Sequence, residues 1–237
     1  MKLHNGSPRA RLVVVLLVSV TPSLIVSAQR PSKTLALPLN SVKGLELVNA
    51  KAEITTYRGR QALHLVPLPD HQASDEVVMA FVSGANFKNG TIEADVAGTP
   101  RAGAPADARG FIGIAFRTQD HGTRYENIYL RPTNGRAGDQ LRRNHSVQYE
   151  SSPDYPWYRL RKENPGAYES YADLEAGAWT KMKIVVSGTH VRLYINSADQ
   201  PCLIVNDLKL GDSNGQIALW AHWTTEAYFS NLTVQNE

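Results

Sequence analysis

The stretch Gly110-Phe111-Ile112-Gly113-Ile114-Ala115-Phe116-Arg117 reads as a β-strand with two unlike faces. Successive side chains of an extended chain point to opposite sides. Ile112, Ile114 and Phe116 therefore share one face, and Gly113, Ala115 and Arg117 the other. The same split recurs outward along the chain. In 125–131, Ile128 and Leu130 oppose Tyr125, Asn127, Tyr129 and Arg131. In 190–196, Val191, Leu193 and Ile195 oppose Arg192, Tyr194 and Asn196. In 216–222, Ile217, Leu219 and Ala221 oppose Ala218, Trp220 and His222. An aliphatic face backed by a polar and aromatic face, strand after strand, is the pattern of two packed sheets. An ordinary solvated outer face is richer in Lys, Glu and Thr, so the grouping of Tyr, Asn, Arg, Trp and His marks a candidate binding surface.

Further short runs at 62–66, 77–82, 90–96, 180–187, 202–206 and 227–235 carry the same β-branched and aromatic bias, and Gly and Asn punctuate many of the gaps. No segment offers a long helical stripe and no internal repeat is present. The expected fold is all-β, a two-sheet antiparallel jelly-roll β-sandwich over 41–237. Residues 29–40, with their Pro and Ser, read as a linker. Ahead of them, Lys2, Arg9 and Arg11 precede the apolar run 12–26, which Thr21-Pro22-Ser23 interrupts and Val26-Ser27-Ala28 closes. That is the pattern of a cleaved signal peptide over 1–28, with an uncleaved anchor as the alternative. Export to a periplasmic or extracellular space follows from it, with no membrane attachment after cleavage.

Loss of the leader removes three basic residues from 25 and leaves 22 of each sign. A neutral chain gives no reason to expect nucleic acid as partner. The single cysteine, Cys202, lies in the apolar run Cys202-Leu203-Ile204-Val205. It has no internal disulfide partner and reads as a buried, inert thiol. There is no Cys pair, His-x-x-x-His or acidic calcium loop, so no metal or other cofactor is indicated, although jelly rolls sometimes hold a rim calcium.

The successive blocks 87–96 (Phe87-Lys88-Asn89-Gly90-Thr91-Ile92-Glu93-Ala94-Asp95-Val96), 110–117, 179–184 (Trp179-Thr180-Lys181-Met182-Lys183-Ile184), 190–196 and 215–234 (ending Tyr228-Phe229-Ser230-Asn231-Leu232-Thr233-Val234) resemble the concanavalin A-like lectin/glucanase superfamily. Within it they look most like laminin-G-type jelly rolls and the domain family named for 3-keto-disaccharide hydrolysis. The resemblance covers roughly 40–235 and implies a curved sheet whose concave face holds sugar. It is specific for fold rather than chemistry, since such jelly rolls serve lectins, glycosidases, lyases and spacers. Family-16 glycosidases of this fold carry two catalytic Glu on one strand; here Glu93-Ala94-Asp95-Val96-Ala97-Gly98 lacks the second Glu, so that retaining mechanism is not carried over.

Residues 131–172 form a long excursion expected to cover one end of the sheet. Over 131–162 it holds seven basic and three acidic residues. Sugars offer C–H faces to aromatic rings and hydroxyls to forked donors and acceptors. Arg117, Arg131, Arg136, Arg142, Arg143, Asn127, Asn134 and Gln140 are candidates for the polar role, with Tyr125 and His145 beside them. Tyr129, Tyr149, Trp157 and Trp220 are candidate stacking platforms. The competing reading for Arg142 and Arg143 is ion pairing with Asp139 and Glu150. If the substrate carries a ketone next to the glycosidic carbon's neighbour, a general base can remove the acidified proton. His222 is the first candidate, since alternation sets it beside Trp220. Glu126 is the second, because Tyr125-Glu126 occupies the place of a Tyr-Glu pair in the resembled family, although alternation puts it on the aliphatic face. His145, Glu150, Glu163 and Glu169 complete the titratable set. Three functions stay open: a carbohydrate-binding jelly roll, a hydrolase or lyase of (3-keto-)disaccharides on the same scaffold, and a laminin-G-like protein-interaction module. A deep pocket where His or Glu converges with Arg favours the enzyme; an open aromatic shelf favours the binder.

Overall fold

Alternating strands with one aliphatic face cannot stand alone in water, and the chain buries those faces against each other. A computed structural model describes residues 1–3, 34–71 and 76–237. The described residues from Thr34 onward fall in one compact unit. The leader expected over 1–28 lies outside the described residues apart from the first three.

The strands are β1 (Thr34–Leu37), β2 (Leu45–Val48), β3 (Ala50–Tyr57), β4 (Arg60–Pro67), β5 (Val77–Phe87), β6 (Gly90–Pro100), β7 (Ile112–Gln119), β8 (Arg124–Leu130), β9 (Val147–Ser152), β10 (Glu169–Ser170), β11 (Thr180–Ser187), β12 (His190–Ile195), β13 (Leu203–Val205), β14 (Gly215–His222) and β15 (Thr225–Asn236). Three short helices, α1 (Pro132–Gly135), α2 (Gln140–Asn144) and α3 (Trp157–Glu163), sit between β8 and β10. One sheet has the order β13-β12-β11-β6-β15-β4-β3, with β1 added on β15; the other runs β10-β9-β8-β7-β14-β5-β2. Pairing is antiparallel throughout, for example β7 with β8 and β14 with β7. This is the two-sheet jelly-roll sandwich that the alternation predicts.

The core lies between the sheets. Ile112, Ile114, Phe116, Ile128, Leu130, Ile217 and Leu219 from one sheet meet Ile92, Val96, Met182, Ile184, Val191, Leu193 and Phe229 from the other, all within 1% of full burial. At about 25 cal/mol per Å² of apolar surface removed from water, such packing is the main stabilising term in a chain without disulfides. Cys202 is half-buried, and burial pushes its thiol up to about 11.

Two expectations need correction. Thr34–Leu37 is not linker but strand β1, paired with Leu232–Gln235 of β15, because Leu35 and Leu37 pack against the core. The excursion 131–172 is not a plain loop: it supplies edge strands β9 and β10 as well as the three helices. β9 alternates like its neighbours, with Val147 and Tyr149 in the core. Its apolar content is only those two residues, too thin a pattern to stand out in sequence. No helix among the described residues is long and apolar enough to cross a membrane.

Candidate functional site

The outer face of the seven-stranded sheet is laid out in rows by strand register. One row runs Gln148, Tyr129, Gly113, Trp220, Met79. The next runs Glu150, Asn127, Ala115, Ala218, Phe81. At the strand ends the His222 backbone N–H donates to Phe111 O at 3.2 Å. Gly113 has no side chain, so the rings of Tyr129 and Trp220 lean together over it, with centroids 5.0 Å apart and planes at 30°. Met79, Phe81, Ala115, Tyr125, Tyr129, Ala218 and Trp220 form a second apolar cluster, separate from the sandwich core.

This aromatic floor is walled in. The loop ahead of β7 brings Asp107, Arg109 and Phe111; α1 and α2 bring Asn134, Arg142 and His145; the segment through α3 brings Pro156, Trp157, Tyr158 and Arg161. Together with Tyr125, Tyr129, Arg131, Glu150, Trp220 and His222 they enclose a cavity of about 710 Å³. That is the size of a small-molecule pocket.

Arg131 lines this cavity and is only 5% exposed. Its Nη2 donates to the Tyr129 hydroxyl at 3.0 Å and its Nη1 to His145 O at 3.2 Å. Its guanidinium lies 5.2 Å from the Tyr129 ring centroid and 5.5 Å from that of Trp157. Behind it, Glu169 takes a bidentate bond from Arg161, 2.7 Å at each oxygen, and stands 3.7 Å from Arg131 and 3.4 Å from His145 Nε2. Burial, with Arg161 and Arg131 nearby, holds the His145 imidazole below its ordinary pKa despite Glu169. His222 Nδ1 shares a 2.8 Å hydrogen bond with the Thr224 hydroxyl.

Glu150 is the carboxyl group of the floor. Asn127 Nδ2 donates to its Oε1 at 3.2 Å, and the Trp157 backbone N–H also reaches it. Burial nevertheless raises its pKa above the ordinary glutamate value, against the opposing pull of Asn127 and Arg131. The Tyr125 phenol is pushed up in the same way, by burial first and then by the charge of Glu150. A carboxyl with raised proton affinity beside a buried guanidinium is an arrangement suited to moving a proton next to a developing negative charge.

Of the residues singled out in the sequence, Tyr125, Tyr129, Arg131, Asn134, Arg142, His145, Trp157, Trp220 and His222 meet in this cavity. Others do not. Arg117 is fully buried elsewhere, donating to the carbonyls of Lys88, Gly188 and Gly211 and to Asn89 Oδ1. A bulge between Phe116 and Gln119 breaks the alternation there, and Arg117 has φ +51°. Glu126 lies on the core face of β8, where its Oε2 accepts from the Tyr149 hydroxyl at 2.6 Å and its Oε1 from Leu210 N–H at 2.8 Å. Tyr149 is itself in the core, its ring 5.6 Å from that of Tyr168. Neither can reach the cavity, because strand alternation turns both inward. Asn127 lies under Glu150 rather than on the cavity surface. Arg136 is drawn out to Asp173 and Glu175, Gln140 bonds Asn144 on the exposed α2, and Arg143 bonds the Tyr171 hydroxyl, all outside the cavity. Asp139 caps α2 by accepting from Arg142 N–H at 2.7 Å and does not pair with its guanidinium.

Arg109, Phe111, Tyr158, Arg161 and Trp223 line the cavity without having been marked in the sequence. Phe111 directly precedes β7 and Trp223 directly follows β14, so they were within reach of the strand argument. Arg109 and Arg161 come from loop and helix geometry that no periodicity encodes. Among the described residues no cluster of three His, Cys, Asp or Glu side chains has the spacing to hold a metal ion.

Among solved structures the fold is similar to the carbohydrate binding module CBM66 from Bacillus subtilis, at 17% identity over 80% of this chain and 94% of that one, with a TM-score of 0.53. It is also similar to a protein of galectin-like fold from Bacillus subtilis, at 14% identity over 86% and 98%, with a TM-score of 0.57. A third is the exoplasmic/lumenal domain of VIP36 in its Ca2+/Man3GlcNAc-bound form, at 10% identity over 88% and 91%, with a TM-score of 0.53. At such identities the likeness is one of fold. No curated protein matches the sequence. One family model does, across residues 53–235, which takes in the strands from β4 to β14 and every wall of the cavity: the chain belongs to the 3-keto-alpha-glucoside-1,2-lyase-like domain family.

Proposed function

We propose that the cavity binds a glycoside whose sugar carries a ketone at C3, and cleaves it by elimination between C1 and C2. The observation that carries this reading is that Glu150, a carboxyl of raised proton affinity, and the buried guanidinium of Arg131 line the same aromatic cavity, close enough for the charge of Arg131 to act on Glu150. A C3 ketone makes the C2 proton acidic. Glu150 takes that proton, and the electron pair moves onto the C3 oxygen as an enolate that Arg131 stabilises as donor and charge. When the ketone re-forms, the C1–C2 double bond forms and the C1–oxygen bond breaks. The leaving oxygen takes up one proton, so the reaction neither gains nor loses any. Glu150 replaces His222 as the first choice for the base because its raised proton affinity suits the task and it neighbours Arg131; His222 Nδ1 is engaged by Thr224. Tyr129 and Trp220 supply the ring faces against which a pyranose packs. Export through the leader over 1–28 belongs to the same reading.

The test is a Glu150→Gln variant given a 3-keto-α-glucoside in D2O. Wild type is expected to wash deuterium into C2 of the unreacted substrate and to release the aglycone. The variant is expected to lose both by about 10²-fold or more, while its affinity stays within a few-fold. Retained exchange in the variant would sink the base assignment. Binding by wild type with neither exchange nor release would leave a sugar-binding jelly roll, the reading that the ring-lined floor supports on its own.

A further inference from the structure

Four arginines face the cavity, and they are not equivalent. Arg131 and Arg161 share Glu169 behind the wall. Arg109 and Arg142 have no such counter-charge: among the described residues, neither has a carboxylate oxygen within 4.0 Å. Arg109 Nη1 is held by neutral acceptors, Ala106 O at 2.9 Å and Ala108 O at 3.0 Å. Arg142 reaches only Asn134 Oδ1, at 3.4 Å from both Nε and Nη2. They come from different elements, the loop ahead of β7 and helix α2, yet stand close enough that the charge of Arg142, after burial, depresses the Arg109 pKa. Arg131 adds to that repulsion and Asp107 opposes it from beyond ion-pair distance. The other carboxylates of the wall are committed: Glu76 to His71 at 3.1 Å, and Glu150 to Asn127.

Two guanidiniums converging on one cavity without a carboxylate partner repel each other, and a bound anion relieves that repulsion. Forked N–H donors match the paired oxygens of an oxyanion. Arg142 is exposed and Arg109 half-buried, so the pair sits toward the opening, whereas Arg131 is almost wholly buried. A leaving group that extends toward that opening from a sugar seated at Glu150 and Arg131 meets this pair.

We infer that the substrate is an acidic glycoside, whose leaving group carries an oxyanion such as a carboxylate, seated between Arg109 and Arg142. This rests on the glycoside reading of the cavity, which it narrows. It accounts for a feature that a neutral glucoside leaves without use.

The test compares the 4-carboxyphenyl and 4-carbamoylphenyl 3-keto-α-glucosides, equal in size and differing in charge, by titration and by aglycone release. Wild type is expected to prefer the acid about tenfold. The preference should shrink as salt is raised, since the pair is partly exposed. It should fall to within about twofold in Arg109→Gln/Arg142→Gln, and survive in part in Arg109→Lys/Arg142→Lys, which keeps charge and loses the forks. Equal handling of acid and amide by wild type, with either one cleaved, overturns the inference and leaves the elimination reading standing. Acid preferred and neither cleaved, with the preference lost in the glutamine variant, supports the anion seat and overturns elimination. Neither ligand bound overturns both.

Discussion

A buried guanidinium is tolerated only where its donors and its charge are both answered, and Arg131 shows how. Tyr129 and His145 accept from it, while Glu169 supplies charge at 3.7 Å. Those partners fix its position under the cavity and leave its face toward Phe111, Tyr129 and Trp157. Removing one charged hydrogen bond to a ligand costs about 1–3 kcal/mol. Arg131→Ala is therefore expected to weaken glycoside binding by that amount, measured by titration, with the fold checked by circular dichroism. Unchanged affinity in a folded variant would remove Arg131 from the site. Alternation along 125–131 sets this residue on the face of Tyr129, and the backbone keeps it there one residue past the end of β8. Alternation misplaces Arg117 because a single positive-φ residue at a bulge re-aims a side chain, and nothing about an arginine signals that. Tyr149 differs from expectation for another reason: the two apolar residues of β9 are too few to show a strand in the sequence, so its ring carries no face there, and the fold turns it into the core.

At the scale of the element, β7 and β14 were legible, and the floor of the site with them, since Ala115, Trp220 and His222 all leave the core on the face that counting by twos assigns. The walls were not. They come from α1, α2, α3 and the loop ahead of β7, pieces too short for periodicity to speak, and their positions depend on contacts with a sheet that the sequence does not locate in space. Gly113 shows how tightly the floor itself is drawn. A Cβ there would lie 2.2 Å from Ile128 O and 2.6 Å from Tyr129 Cα, contacts that backbone cannot yield without β7 and β8 moving apart. Gly113→Ala is expected to cost about 1–3 kcal/mol of stability, as overpacking does. It should also part the Tyr129–Trp220 pair, which meets over that glycine. Denaturant midpoints check the first effect and tryptophan fluorescence the second; a variant matching wild type in both would show that the strands have slack at this point.

For the molecule as a whole, the seven-stranded sheet carries an acid on each side. Glu126 lies inside the sandwich and Glu150 under the cavity, paired across β8 and β9 with Ser151 and Asn127. Burial is the first cause of the raised pKa in each; hydrogen bonds from Tyr149 and Leu210 to Glu126 offset it only in part. The folded protein therefore holds protons that the unfolded chain releases above about pH 4.3, the ordinary glutamate value. With more protons bound in the folded state, stability falls as pH rises from there through the folded pKa values, and the contribution is complete only below that window. His145 acts in the opposite sense: burial lowers its pKa, so the unfolded chain binds the extra proton and stability is lost on acidification below about 6.5. Glu126 is the cleaner probe of the two acids, since it touches no wall of the cavity. Glu126→Gln removes its titration while keeping its size. The altered hydrogen bond to Tyr149 gives a pH-independent offset, but measured from pH 4.5 to 8 the variant's melting temperature relative to wild type is expected to rise as the pH passes up through the folded pKa of Glu126. A constant difference across that range would mean that Glu126 is ionised in the folded protein throughout, and that Arg117, the cation whose charge reaches it from the bulge, outweighs its burial.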